Sequence, residues 1–305
     1  MMASLSPAAA PARGRPETAA KRRAFDGLMT GVLWAAALAI IVLLGFFIGY
    51  LLYLGAPVMS WHFLTAPPSE VTAGGGVGPE IFNSFYILIL TLLFTTPIAT
   101  AGGIYLQEYA RPGAFTTLVQ FCAESLATIP SIVMGLFGLL IFVTYLHWSF
   151  TALGGALTLT ILNLPALMRV TQEALQSVPN AFREGSMALG ATKWQTIRRV
   201  VLPSAIAPLT TGIVLIAGRI FGETAALIFT AGTSVSAGRS AYDFSPFHQA
   251  ETLSVHLWYT HSEGLVPDAA QVGNGSALVL LIMVLAFNIG ARLLGHTLSR
   301  RLTGK

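Results

Sequence analysis

The stretch GRIFGETAALIFTAG, residues 218–232, sets an arginine and a glutamate inside an otherwise apolar run. Arg219 and Glu223 stand four positions apart, with LTTGIVLIA before them and AALIFTAG after. A charge held at the middle of a bilayer costs a few kcal/mol on insertion scales, so something must offset it. One reading is an internal ion pair, because positions i and i+4 share a face of a continuous helix. The order Arg before Glu is the weaker one for the helix dipole, but low dielectric strengthens the pairing. The other reading is chemical. A guanidinium is planar, permanently charged and matches anionic oxygens two at a time.

Composition says what must position these groups. The 305 residues are 54% hydrophobic and 10% charged, with a mean hydropathy of +0.70. Soluble domains carry roughly 25% charged residues, so this chain needs hydrocarbon around most of its length. A helix needs about 20 apolar residues to cross ~30 Å of hydrocarbon. Six stretches qualify: Leu28–Leu54, Ile81–Leu106, Cys122–Leu146, Thr151–Met168, Ala205–Thr230 and Ser276–Leu294. The fold class expected is therefore an all-α polytopic membrane protein with six transmembrane helices, the fifth carrying Arg219 and Glu223 as one continuous helix.

The cations orient it. All but Arg219 and Arg239 of the 17 lysines and arginines lie in the N-terminal tail, between spans two and three, between spans four and five, or near the C-terminus. The alternate loops 55–80 and 147–150 have none. The positive-inside rule then places both termini in the cytoplasm. Tyr50, Tyr53 and Trp61, and then Tyr145, His147 and Trp148, read as interfacial anchors. Residues 1–24, Ala/Pro-rich and basic, read as a disordered cytoplasmic tail, and 25–305 as the transmembrane domain. The run after the tail is about twice as long as a signal-peptide h-region, so it reads as an uncleaved first span.

Further polar groups are candidates for the path or its gating. Glu124 in the third span and Asn83 early in the second would face either a pathway or an interhelical hydrogen bond. Pro130-Ser131 marks an expected kink, since proline frees a carbonyl. The outer loop 233–275 holds His248, His256, His261, Glu251, Glu263 and Asp268. Their spacing fits no strong zinc pattern such as His-Glu-x-x-His, so a solvated loop or partner contact is the expectation and no metal site is assigned. The single cysteine, Cys122, excludes an intrachain disulfide and paired-cysteine metal sites.

The segment 169–203, RVTQEALQSVPNAFREGSMALGATKWQTIRRVVLP, is polar and basic. Leu175, Val178, Phe182, Met187, Leu189, Trp194 and Ile197 nevertheless give it an apolar face. Asn180 is a candidate cap for a helix through Arg183 and Met187. Gly190 is a natural stop, and a second short helix would run from Lys193 to Val201. Such a helix-turn-helix would dock on a soluble partner or lie on lipid headgroups.

From Glu184 to Pro203 this segment resembles the loop of ABC importer permeases, a Glu-Ala-Ala, then a glycine, then Ile-x-Leu-Pro. Here it reads Glu184-Gly185-Ser186, Gly190, and Val200-Val201-Leu202-Pro203, with the spacing kept throughout. LATIPSIVMGLFGLL (126–140) and GRIFGETAALIFTAG look like the phosphate-specific permeases. FLTAPPSEVTAGGGVGPEIFNS, EYARPG and ETLSVHLWYTHSEG are closer to the PstA-type subunit than to its PstC-type sister. The resemblance covers roughly residues 25 to 300 and implies a type I ABC importer permease fold.

It also implies a role for each part. The loop 180–203, with Glu184, Gly185, Ser186, Gly190, Leu202 and Pro203, would couple to a separate ATP-hydrolysing subunit pair of the PstB type. A PstC-type sister permease would complete the path. An extracytoplasmic phosphate-binding protein would deliver inorganic phosphate to the outer loops. The resemblance puts Arg219 and Glu223 in the span that lines the path without saying which contacts the ion. The guanidinium's own chemistry is what gives the expectation that Arg219 lowers the barrier for the anion and Glu223 holds Arg219 between ions. No Gly-x-x-x-x-Gly-Lys-Ser/Thr loop is present, so the ATP site is expected on the partner and the chain itself as a non-enzyme without cofactors. A bacterial inner-membrane, multi-pass protein with no nucleic-acid partner is the resulting expectation. Its alternatives are a permease for another oxyanion or solute, a self-powered secondary anion carrier, and a membrane enzyme built on the outer-loop histidines.

Overall fold

The computed structural model describes residues 16–69, 71–235, 242–264 and 266–303. The chain forms two compact units, Met1–Tyr53 and Leu54–Lys305. The first is one helix over its described residues, the start of α1 (Pro16–Gly55). Residues 16–24, expected in a disordered tail, are helical, because PETAAKRR is made of good helix formers and opens on a proline. Residues 1–15 of that expected tail lie outside the described residues.

The second unit opens with the short α2 (Trp61–Thr65), capped where Ser60 Oγ accepts from the Phe63 N–H at 3.1 Å. α3 (Gly78–Ile104) has proline at its start, where no N–H is needed. It continues through a widened π turn, Tyr105–Tyr109. α4 (Ala114–Thr128) and α5 (Ser131–Gly138) follow, the latter extended by a π segment, Leu139–Tyr145. α6 (Ala152–Gln176) is capped by Thr151, whose Oγ1 accepts from Gly154 at 3.0 Å. Next come α7 (Asn180–Ala188), α8 (Lys193–Thr196), a π segment Ile197–Val201 and α9 (Leu202–Ser204). The remainder is α10 (Ile206–Phe221), α11 (Ala225–Ile228), α12 (Leu253–Ser262) and α13 (Ala269–Thr303). Among the described residues there is no strand, only an isolated bridge between Val235 and Ala250.

α3 and α6 form the spine of this unit and run parallel. The Thr160 hydroxyl points at the Thr91 carbonyl midway, and near both C-terminal ends Gly103 sits against Thr171 and Gly102 against Met168. Between helices in lipid, close approach through small residues replaces the hydrophobic drive of water. Ile87, Leu88, Leu159 and Leu167 are fully buried along this seam. Pro165 lies inside α6 without ending it, so the fourth span reaches Gln176 rather than Met168.

Among the described residues, four helices are long and apolar enough to cross a membrane, and two bent pairs bring the number to six if each is counted as one span. The bent pairs depart from the sequence expectation. α4 and the run from Ser131 to Tyr145 meet at 100°, so Cys122–Leu146 is two helices and not a kinked one. Ile129 (ψ 129°) and Pro130 (ψ 139°) are both extended, and two extended residues in a row end a helix outright. The second pair, Lys193–Ser204 and Ile206–Phe221, meets at 66°.

Candidate functional site

The fifth span, expected to be helical from Ala205 to Thr230, stops at Phe221. Gly222 caps it (φ −87°, ψ 0°), and Thr224 (φ −118°, ψ −52°) starts a new short turn of helix at α11. Two consequences follow for the charged pair. Glu223 lies beyond the helix, so the shared i, i+4 face does not exist. Arg219 sits in the last turn of α10, where a cation offsets the unpaired carbonyls of a helix C-terminus. No ion pair joins Arg219 to Glu223 among the described residues. The Arg219 side chain is exposed, whereas Glu223 is half-buried and holds the break together. Its Oε1 accepts from the Ala226 N–H at 3.3 Å, and its carbonyl accepts from Ser254 Oγ at 2.8 Å.

At the far end of α3 and α6, Arg183 clasps the α7–α9 segment to the spine. Arg183 donates from Nη2 to Glu108 Oε1 at 2.8 Å and from Nε to the same oxygen at 3.1 Å. Its guanidinium also reaches the Leu175 and Val178 carbonyls, at 2.8 and 2.7 Å, and so completes the C-terminal end of α6. Both partners are nearly buried, at 14% and 8% exposure. Asn180, expected as a cap, is instead the first helical residue. Pro179 precedes it, and the Asn180 Oδ1 accepts from Arg183 at 3.2 Å.

Gly190 (φ +84°) ends α7 in the left-handed conformation, as its position in the sequence suggested. α8 opens on a capping box from Thr192 and Gln195. Ser186 Oγ and Thr196 Oγ1, 2.9 Å apart, tie α7 to α8. Glu184 and Gly185 are exposed, and Leu202 and Pro203 are half-buried at the joint leading to α10. The apolar face expected here divides in two. Leu175, Val178 and Ile197 are buried, while Phe182, Met187, Leu189 and Trp194 are exposed at 51%, 47%, 91% and 56%.

The other polar candidates separate as well. Glu124 lies on a cavity of about 400 Å³ between α4 and α6, together with Gln120, Pro165, Arg169 and Gln172. Asn83 is fully buried. Its Nδ2 donates to the Glu251 carbonyl at 3.1 Å and its Oδ1 lies 3.2 Å from His248 Nε2. It fastens the outer segment to the start of α3. Pro130 and Ser131 form the 100° break described above.

The segment 233–275, expected as an outer solvated loop or partner contact, is folded inward over part of its described residues. His248, Glu251 and His256 are buried at 8%, 3% and 7% exposure, and α12 forms within the segment. Residues 246 and 248 supply carbonyls to the first N–H groups of α6, at Leu153 and Ala152, 2.8 Å each. His256 Nδ1 lies 3.2 Å from Glu251 Oε1. Burial draws the His256 imidazole down, but the hydrogen bond and charge of Glu251, with Glu80 adding, hold it above the ordinary histidine value. Glu80 itself escaped the sequence reading because it stands one residue before the apolar run at Ile81. A carboxylate in the first turn of a span was the available signal. Arg183 and Glu108 were missed because 75 residues separate them.

Interrupted apolar helices carrying an exposed arginine, with a docked helix pair at one end of the spine, define a multi-pass membrane protein of the transport kind. The chain belongs to the binding-protein-dependent transport system inner membrane component family, whose pattern matches residues 99–304. It is 42% identical over 292 residues to the probable ABC transporter permease protein YqgI of Bacillus subtilis, covering 92% of this chain and 99% of that one. It is 34% identical over 231 residues to the phosphate transport system permease protein PstA of Xylella fastidiosa, covering 76% and 77%. Among solved structures, a bacterial alginate ABC transporter in complex with its pentasaccharide-bound periplasmic protein shares the fold, with a TM-score of 0.66 at 16% identity over 92% of this chain and 98% of that one. The MetNI methionine transporter matches at a TM-score of 0.56 and 19% identity, over 73% of this chain and 94% of that one. The family is a transport component and not a catalytic enzyme.

Proposed function

We propose that the chain is the PstA-type permease subunit of an ATP-driven inorganic phosphate importer in a bacterial inner membrane. The observation that carries the anion reading is Arg219, a permanent cation on the exposed side of an interrupted span, with no ion pair to neutralise it among the described residues. Phosphate relatives at 34% identity support the substrate. With each bent pair taken as one span, an even count together with the positive-inside rule supports cytoplasmic termini and a cytoplasmic 180–203 loop. There Glu184 to Pro203, with the exposed Phe182, Met187, Leu189 and Trp194, meets a PstB-type ATPase pair. A PstC-type sister completes the path, and an extracytoplasmic phosphate-binding protein docks on the outer side. Glu223 serves as the cap that keeps the span broken beside Arg219, in place of the partner the sequence suggested.

The fold alone does not set the cargo, since neighbours that share it carry methionine and alginate. Uptake of labelled phosphate by the assembled complex, competed with sulfate and molybdate, tests the substrate. Arg219→Gln is expected to lower uptake at least 100-fold while the complex still assembles. Wild-type uptake in that variant would end the role given to Arg219, and a complex that takes up labelled molybdate or sulfate but no labelled phosphate would move the chain to another oxyanion.

A further inference from the structure

Beside the start of α3, three ionisable side chains converge from two separated parts of the chain. Glu80, Glu251 and His256 each offer one ligand atom, and all three atoms lie within 4.8 Å of one another. Glu80 is fully buried, and neither of its carboxylate oxygens has a hydrogen-bond partner. A buried carboxylate without partners is costly unless a proton or a cation joins it. Two carboxylates and one imidazole make a donor set suited to a doubly charged ion.

The geometry points to a divalent first-row transition-metal site, of the Zn²⁺ or Mn²⁺ class, held by Glu80, Glu251 and His256. At bond lengths of about 2.1 Å, neighbouring ligand atoms in a tetrahedral or octahedral shell stand about 3.0–3.4 Å apart. His256 Nδ1 and Glu251 Oε1, at 3.2 Å, already have that separation. One imidazole with two carboxylates suits this class better than Ca²⁺ or Mg²⁺, which take oxygen ligands alone. The next shell is present too. His256 Nε2 lies 3.4 Å from Thr260 Oγ1, a partner that leaves Nδ1 as the ligating atom. The Glu251 carbonyl is fixed by Asn83 Nδ2. Access is through a cavity of about 200 Å³ lined by Glu251, His256, Tyr259 and Thr260. A fourth position is left to water or to a group from a docked partner.

An ion here would staple α12 to the first turn of α3, on the side where the outer segment also caps α6. The inference does not depend on the cargo. Its test is ion binding, so its failure would leave the phosphate reading untouched, and the reverse holds.

The untagged, detergent-purified permease complex is dialysed against chelator, exposed to Zn²⁺ alone or Mn²⁺ alone, desalted and measured by elemental analysis. About one equivalent per chain is expected, with Glu80→Gln lowering affinity at least 100-fold and His261→Ala, outside the cluster, keeping it. Thr260→Ala, which leaves all three ligands in place, is expected to weaken binding about 10–100-fold. This variant, with chelated wild type, keeps the test decisive if Glu80→Gln does not fold. Absence of a stoichiometric ion in the wild type, or full retention in Glu80→Gln, would overturn the site. So would an affinity unchanged in Thr260→Ala.

Discussion

Arg183 does more with one side chain than any other residue of the 180–203 segment. Its guanidinium joins three places: the carboxylate of Glu108 at the end of the second span, the two carbonyls that close α6, and the Asn180 amide. Removing one partner of a nearly buried pair leaves the other uncompensated, which typically costs about 3–5 kcal/mol. Arg183→Ala is therefore expected to lower the thermal midpoint of the purified subunit and to expose the α7 backbone to protease. Arg183→Lys should recover little, because an ammonium cannot reach an acid and two carbonyls in one plane. If Arg183→Ala melted like the wild type, the clasp would be decorative. The exposed Arg169–Glu173 pair, 3.1 Å apart but 72% and 63% exposed, is the contrast: its loss should be nearly silent.

Between elements, packing rests on how closely α3 and α6 approach. A methyl placed on Gly103 would stand 2.6 Å from Thr171 Cβ, a distance that real side chains do not tolerate. Gly103→Val should push the two helices apart at that level and cost about 1–3 kcal/mol, read as a lower melting midpoint in detergent. Gly185→Ala, with open space around it, should melt no lower than the wild type. Much of this level was written in the sequence. The stop at Gly190 and four of the six apolar runs come from local chemistry and are found among the described residues, whereas at Pro130 a complete break stands in place of the expected kink. What local chemistry could not give is where an apolar run stops being helical. Nothing in GRIFGETAALIF marks Gly222 as an end, since glycines at 212 and 218 lie inside the same helix. The break is imposed by contacts from elsewhere, Ser254 on the Glu223 carbonyl and Ala226 packed on Gly135. The same limit hid the outer cluster. Asn83 and Glu251 are 168 residues apart, and no window along the chain holds both.

For the molecule as a whole, the two ends of the α3–α6 spine have opposite characters. At the start of α3 the outer segment is folded inward, with His248, Glu251 and His256 buried and their polar atoms engaged within the chain. At the other end, α7 and α8 are pinned by polar contacts on one side and present bare apolar side chains on the other. Leu189, at 91% exposure beside the turn at Gly190, contributes nothing to the fold that water would miss. Its burial against a partner would be worth roughly 1.5–3 kcal/mol, and a charge in its place would add a desolvation cost. Leu189→Asp is thus expected to leave the thermal midpoint of the isolated subunit within about 1 °C of wild type. The same change should lower recovery of the ATPase subunits with the complex at least 10-fold and abolish substrate-stimulated ATP hydrolysis. Arg183→Ala would lose both stability and coupling, so the pair of variants separates holding the helix in place from what the helix holds. Normal ATPase recovery and turnover in Leu189→Asp would remove this face from the coupling surface.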